Sequence, residues 1–252
     1  MKPVVRWIGG KGWLAPEIAK RIPIDCTYCE PFGGGLAVLL NRKPVKGCPE
    51  IVNDINGDLI NFYRVAKYHV EALVQEIECL LWSREIFDEF GANPGITDIQ
   101  RAARWYYRNK ICFGGKERAQ TYGYSRKNPA FSFLSVASFL EAFSERLCRV
   151  QIEHLDWRDF VGRYDSPSTF FYVDPPYDCS QAYQQAFSQS DHQALRDFLM
   201  ACEGRWLLSY NDTDFIRDLY CGCHFEVFER KVPFNAQGRR GRPYREVLIF
   251  KS

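Results

Sequence analysis

Seven short apolar runs, each bounded by turn-forming residues, constrain this chain more than any other feature. They lie near 26–29, 50–53, 149–153, 169–173, 206–210, 224–228 and 246–250, and runs of that length read as strands. Helical patterns separate most of them. Gly57 to Cys79 sets Leu59, Ile60, Tyr63, Ala66, Leu73, Val74 and Ile77 at helical spacing, whereas Arg42 to Pro49 is a loop. Strand alternating with helix predicts an α/β fold on a mostly parallel sheet with right-handed crossovers. Only the basic, glycine-bearing stretch Asn235 to Pro243 joins the last two strands, so they are expected as an antiparallel hairpin at the sheet edge.

Between the second and third strands, Trp82 to Phe139 is far longer than an ordinary crossover. Its length, aromatics and basic residues predict an inserted, mainly helical subdomain. The expected division is therefore 1–81 with 140–252 as one domain and 82–139 as the insert. A chain of 252 residues suits one core with a small insertion and is crowded for two.

The formal net charge of +2 does not announce a polyanion ligand, but its distribution does. Arg101 to Asn128 holds Arg101, Arg104, Arg108, Lys110, Lys116, Arg118, Arg126 and Lys127 against the one acid Glu117. Arg230 to Arg245 adds Arg230, Lys231, Arg239, Arg240, Arg242 and Arg245 with no acid. Two such segments are the electrostatic footprint of nucleic-acid binding.

No apolar stretch is long enough to span a bilayer, and Met1 to Trp7 lacks the apolar core of a signal peptide, so a cytoplasmic protein is expected. In that compartment the ten scattered cysteines are expected as free thiols. Cys26 and Cys29 form a CxxC, and Cys221, Cys223 and His224 resemble half of a zinc set. Both groups fall in stretches that read as strands and neither has a second well-spaced pair, so no metal is expected.

The sharpest local signal is Phe170-Phe171-Tyr172-Val173-Asp174-Pro175-Pro176-Tyr177. Two prolines cannot continue a ladder, so Asp174 and Tyr177 fall at the carboxyl end of a strand, where open α/β sheets bind ligands. The prolines remove amide donors and leave carbonyls, which suits a pocket that accepts hydrogen bonds from an amino group. A solvated Asp after an ordinary Pro-Pro turn is the alternative. Glu30-Pro31-Phe32-Gly33-Gly34-Gly35 follows the strand at Tyr28, and glycines between strand and helix let a cofactor approach the backbone. Asn53-Asp54 ends the next strand, where nucleotide-binding folds place an acid for ribose hydroxyls. Taken alone, Arg6 to Lys11 reads as a turn before the first helix.

Together and in this order, these pieces resemble the Dam-type DNA adenine methyltransferases, the alpha group of amino-methyltransferases. Trp7 to Lys11 is similar to their WxGGK, Glu30 to Gly35 to EPFxGxG, Asp54 to Leu59 to DxNxDL, and Asp174 to Tyr177 to DPPY. The resemblance implies a Rossmann-like seven-stranded methyltransferase sheet whose insert recognises the target. It also implies transfer of methyl from S-adenosylmethionine to the N6 amino group of adenine in double-stranded DNA, by a monomer without an obligate protein partner. Trp7, Gly10, Lys11, Glu30, Phe32, Gly33, Gly35, Asp54 and Asp174 would surround the cofactor, with Asp156 facing its adenine. Asp174 and the Pro175 carbonyl, followed by Pro176, would accept the amino protons, and Tyr177 would stack on a base flipped out of the duplex. DNA contacts would come from Arg108, Lys110, Lys116, Arg118, Tyr122, Arg126 and Lys127 with the neighbouring aromatics Trp105, Tyr106, Tyr107, Phe113 and Tyr124, and from Arg239, Arg240 and Arg242. Cytosine amino-methylation shares the fold, but there Ser usually leads the motif; in protein and RNA amino-methyltransferases Asn commonly leads. Where GATC-methylating members carry NRxGxNGLxR, this chain has Arg108-Asn109-Lys110-Ile111-Cys112-Phe113-Gly114-Gly115-Lys116, which leaves its target sequence open.

Overall fold

Five strands run parallel: β1 (Thr27–Glu30), β2 (Glu50–Asn53), β3 (Val150–Glu153), β4 (Thr169–Val173) and β5 (Arg205–Asn211). Antiparallel β6 (His224–Arg230) and β7 (Tyr244–Phe250) complete one sheet in the order β3-β2-β1-β4-β5-β7-β6. This computed structural model describes residues 1–7, 9–112, 120–123, 135–177, 187–230 and 244–251. The expected hairpin is present, with β7 pairing inward to β5 and β6 forming the sheet edge.

Helices on both faces explain why the central strands β4 and β5 read as plain apolar runs, whereas edge strand β3, Val-Gln-Ile-Glu, alternates. In β4, Phe170 and Tyr172 enter one core with Phe62, Tyr63 and Leu248, while Phe171 and Val173 enter the other with Trp157, Leu199 and Ile249. The helices are α1 (Ala15–Ala19), α2 (Ala37–Asn41), α3 (Gly57–Tyr68), α4 (Val70–Glu78), α5 (Arg84–Ala92), α6 (Asp98–Ile111), α7 (Val136–Leu147), α8 (Trp157–Tyr164), α9 (Gln189–Ala201) and α10 (Asp214–Leu219). The single helical pattern of Gly57 to Cys79 is two helices, because His69 leaves the helical region (φ −138°, ψ 41°). Side-chain caps set several starts: Asn56 accepts from Asp58 N and Leu59 N at α3, and Thr97 forms a capping box with Gln100 at α6.

The described part of the insert is mainly helical, as expected, and it packs directly on the rest of the chain. The Tyr106 ring of α6 stacks on Phe62 of α3 at 5.0 Å, and Phe143 of α7 lies 5.6 Å from Tyr63. Position 139/140, expected as a boundary, falls inside α7. Among the described residues, α5 and the end of α6 share a smaller core around Phe87, Phe90, Tyr107 and Ile111. Among the described residues no helix is long and apolar enough to cross a membrane, and no group of three or more His, Cys, Asp or Glu gathers as a metal site. The cysteines described are free thiols. Cys221 and Cys223 sit in the turn before β6 rather than in a strand.

Candidate active site

Chain order reverses between β1 and β4, so the loops leaving their carboxyl ends diverge and open a crevice. A cavity of about 350 Å³ lies there, lined by the N-terminal segment, the loops after β1, β2, β3 and β4, and Phe187 with Asp191. That volume is in the range of small-molecule sites. Trp7, Gly10, Lys11, Glu30, Phe32, Gly33, Gly35, Asp54, Asp156, Asp174, Pro175, Pro176 and Tyr177 all line it. The expected set is thus brought together from five separate parts of the chain.

Asp54 builds the glycine turn. Its Oδ2 accepts Gly34 N at 2.8 Å and its Oδ1 accepts Asn56 N at 2.9 Å. The turn is held further by Gly33 N on Asn53 O at 2.7 Å and by the Tyr63 hydroxyl on Gly34 O. Asn53 spans the crevice floor, with Nδ2 on Pro31 O and Leu155 O and Oδ1 receiving Leu155 N. Asp54 therefore organises the loop before any ligand reaches it, a role the spacing alone did not show. Asp156 caps α8 through Arg158 N.

The EPFxGxG pattern has seven positions. Counted from Glu30, its first glycine is Gly34 and its second falls on Leu36, one beyond the Glu30 to Gly35 stretch expected to carry it. These are the two residues of the turn in the left-handed region, with φ of +46° and +54°. A bulky residue there costs about 1–2 kcal/mol, and complete burial of the Leu36 side chain offsets it by about 1.5–3 kcal/mol.

The N-terminal turn does lead into α1, yet its main contribution is Lys11. Gly10 N bonds Trp7 O at 3.1 Å, and the turn drives the ammonium into the site. Lys11 Nζ meets Asp174 Oδ1 at 2.7 Å, Glu246 Oε1 at 2.8 Å and Gly9 O at 2.9 Å. Those contacts take its three protons, so Lys11, which lines the cavity as expected, also fixes Asp174. Asp174 Oδ1 also receives Ser209 Oγ at 3.0 Å. The Tyr177 hydroxyl lies 2.6 Å from Glu246 Oε1 and 3.1 Å from Asp174 Oδ1, and its single proton goes to the nearer. All these contacts fall on Oδ1, and Oδ2 has no partner among the described residues.

Two of these residues escaped the sequence reading. Ser209 lies in an ordinary strand and carried no signal. Glu246 did, because it is a lone acid inside the apolar run of β7.

Glu30 ends β1 fully buried, its Oε1 receiving the Tyr28 hydroxyl at 2.5 Å and Leu39 N at 2.8 Å. Burial pushes its carboxyl up to about 8 against these hydrogen bonds. A raised folded value gives stability that is whole below the ordinary carboxylate range and is lost as pH rises through the folded value. Glu30→Gln keeps both acceptor contacts and removes the titration. Between about pH 5 and pH 8.5 the wild type should lose on the order of a few kcal/mol relative to this variant, because each tenfold fall in proton activity across that window removes about 1.4 kcal/mol. Urea unfolding at both pH values checks it, and parallel curves would exclude a titrating Glu30.

Among the described basic residues of the insert, Arg108 and Lys110 are partly buried. Arg108 packs its guanidinium over Phe87 at 4.8 Å, and Lys110 lies 5.2 Å from the Tyr106 ring, burial pushing it down to about 8. Tyr122 meets Phe87 edge-on at 5.7 Å. Tyr106 and Tyr107 are core residues, and Trp105 is partly buried against Phe62. These side chains fill the insert instead of standing out from it. Asn109, beside them, clamps the N-terminal segment, accepting Arg6 N and donating to Arg6 O, both at 2.8 Å. Phe113, Lys116, Arg118, Tyr124, Arg126, Lys127, Arg239, Arg240 and Arg242 lie outside the described residues.

Sheet order and crevice chemistry together define an α/β methyltransferase acting on an amino group. Its kinship is narrower than that. The model of the D12 class N6 adenine-specific DNA methyltransferases matches residues 7–233, and the chain belongs to that family. It is similar to the type II methyltransferase M.CviBI of Paramecium bursaria Chlorella virus NC1A, 27% identical across 95% of this chain and 94% of that protein. The retron Ec67 DNA adenine methylase of Escherichia coli is 28% identical across 98% and 90%, and the DNA adenine methylase of Serratia marcescens 29% across 93% and 93%.

Proposed function

We propose that this adenine-specific DNA methyltransferase uses S-adenosylmethionine, and that its substrate adenine leaves a double helix to enter the crevice. The reading is carried by Asp174, whose Oδ1 is occupied by Lys11 and Ser209 while Oδ2 is left for a ligand. The cofactor fits the residues present: the rings of Trp7 and Phe32, the glycine turn and the carboxylates of Asp54 and Asp156 line one cavity, and a Cβ on Gly33 or Gly34 would push against Asn53 O or the Trp7 ring in its wall. Trp7, Phe32, the Gly33–Gly35 turn, Asp54 and Asp156 would hold it. When bound, it supplies an electrophilic methyl on a sulfonium.

The adenine amino group is a poor nucleophile because its lone pair is delocalised into the ring. Asp174 Oδ2 and the Pro175 carbonyl accept its two N–H bonds and direct the lone pair out of the conjugated plane toward the methyl. Such fixed acceptors need no reorganisation during reaction, and orientation of the two reactants supplies the remainder. The base must be extruded because N6 is out of reach inside a duplex. Lys116, Arg118, Arg126 and Lys127, with Arg239, Arg240 and Arg242, are proposed to hold the DNA.

Incubation with labelled S-adenosylmethionine and genomic DNA, followed by nucleoside analysis, should yield N6-methyladenine alone. Label on the amino group of cytosine would reject the base assignment. DNA affinity should fall steeply with salt, and salt-independent binding would remove the phosphate contacts.

A further inference from the structure

Glu246 belongs to none of the motifs, yet it is as deeply buried as Glu30, 1% exposed against 3% for Lys11 and 21% for Asp174. One ammonium bridges the two carboxylates, so a single positive charge stands between two acids. Oε1 of Glu246 is saturated by Lys11 and the Tyr177 hydroxyl. Its Oε2 is buried with no hydrogen-bond partner among the described residues. The other described neighbours bring no compensating cation: Tyr172 on β4 is a phenol bonded to Ser209, Asn211 is the register partner on β5, and Phe228 the partner on β6. A carboxylate oxygen without a donor in a dry place is costly, and two acids sharing one site do not readily ionise together.

We propose that Glu246 carries a proton while the crevice is empty and releases it when a sulfonium enters, so that the acid pair faces two positive charges in place of one. The proposal rests on the reading of S-adenosylmethionine as the cofactor. Burial raises the Glu246 carboxyl above its ordinary range, with Lys11 pulling the other way, as a group poised to exchange a proton requires. Protons and electrons balance over one turnover. The methyl–sulfur bond breaks with its electron pair left on sulfur, and the N6 lone pair forms the new bond. The surplus N6 proton passes to Asp174 Oδ2, and the acid pair again holds one proton beside a neutral thioether.

Calorimetric titration in buffers of different ionisation enthalpy, between about pH 5.5 and 7.5, compares S-adenosylmethionine with S-adenosylhomocysteine, which lacks the charge. The wild type should release a substantial fraction of a proton with the first ligand and almost none with the second. In Glu246→Gln the release should vanish, and the preference for the charged ligand should drop about tenfold, equivalent to about 1.4 kcal/mol. Equal release with both ligands in the wild type, a comparison needing no variant, would overturn the proposal, as would undiminished release in Glu246→Gln. Failure of both ligands to bind would instead overturn the cofactor reading beneath it.

Discussion

Asp174→Asn should lower single-turnover methyl transfer by about 10³-fold, the scale seen when one oriented electrostatic partner is lost from a reacting centre, while cofactor affinity changes by less than about tenfold. Asparagine has the same shape, and its carbonyl can still accept from Lys11 and Ser209 at the Oδ1 position. Its amide nitrogen would then stand where Oδ2 accepts the substrate amine, setting donor against donor. Lys11 would also face one carboxylate instead of two. Asp174→Ala removes the acceptor outright and should be at least as severe. Both are read by transfer of labelled methyl to an adenine-containing duplex, with cofactor titration as the control for folding. Activity within tenfold of wild type in either variant would remove Asp174 from the chemistry.

The second large effect is expected at Gly34. Alanine there must adopt φ +46° and places its Cβ 2.6 Å from the Trp7 indole nitrogen, a separation that real structures do not tolerate. Either the indole leaves the cavity wall or the turn shifts away from Asp54 and Tyr63, which grip Gly34 N and O. Cofactor affinity should fall on the order of 100-fold, and stability by about 1–3 kcal/mol for a strained backbone that its surroundings must absorb. Gly35→Ala is the internal comparison. Its Cβ meets nothing closer than 3.4 Å, so affinity should stay within a few-fold. Calorimetry on the pair decides the matter: equal losses, or none at Gly34, would refute this account of the turn.

The central strands β4 and β5 were legible because a sheet covered on both faces imposes uninterrupted apolar runs, and the two prolines after Val173 marked where the crevice had to lie. The motifs located its wall to the residue. What they did not contain was the wiring. The contact of Lys11 with Asp174 joins residues that only the assembled fold brings together, and Glu246 is added from β7. Short-range pattern reports which face a residue takes, not which distant partner it meets. The insert adds a feature that composition does not carry: Arg108 and Lys110 count as positive in a tally of charge, but their long aliphatic stems and flat or compact heads also pack on aromatic rings. The same holds for Asp54, where spacing suggested a ligand contact and the fold shows the carboxylate anchoring the loop first.

Leu36 shows how loosely handedness and glycine are tied. Its left-handed backbone occupies the position where relatives with the full pattern have no side chain at all, and the isobutyl group pointing into the interior makes that conformation tenable. A filter demanding glycine there would discard this chain although its backbone takes the left-handed turn that glycine favours. For loops of this kind the durable signature is the path of the main chain, and residue identity is only one of the ways to secure it.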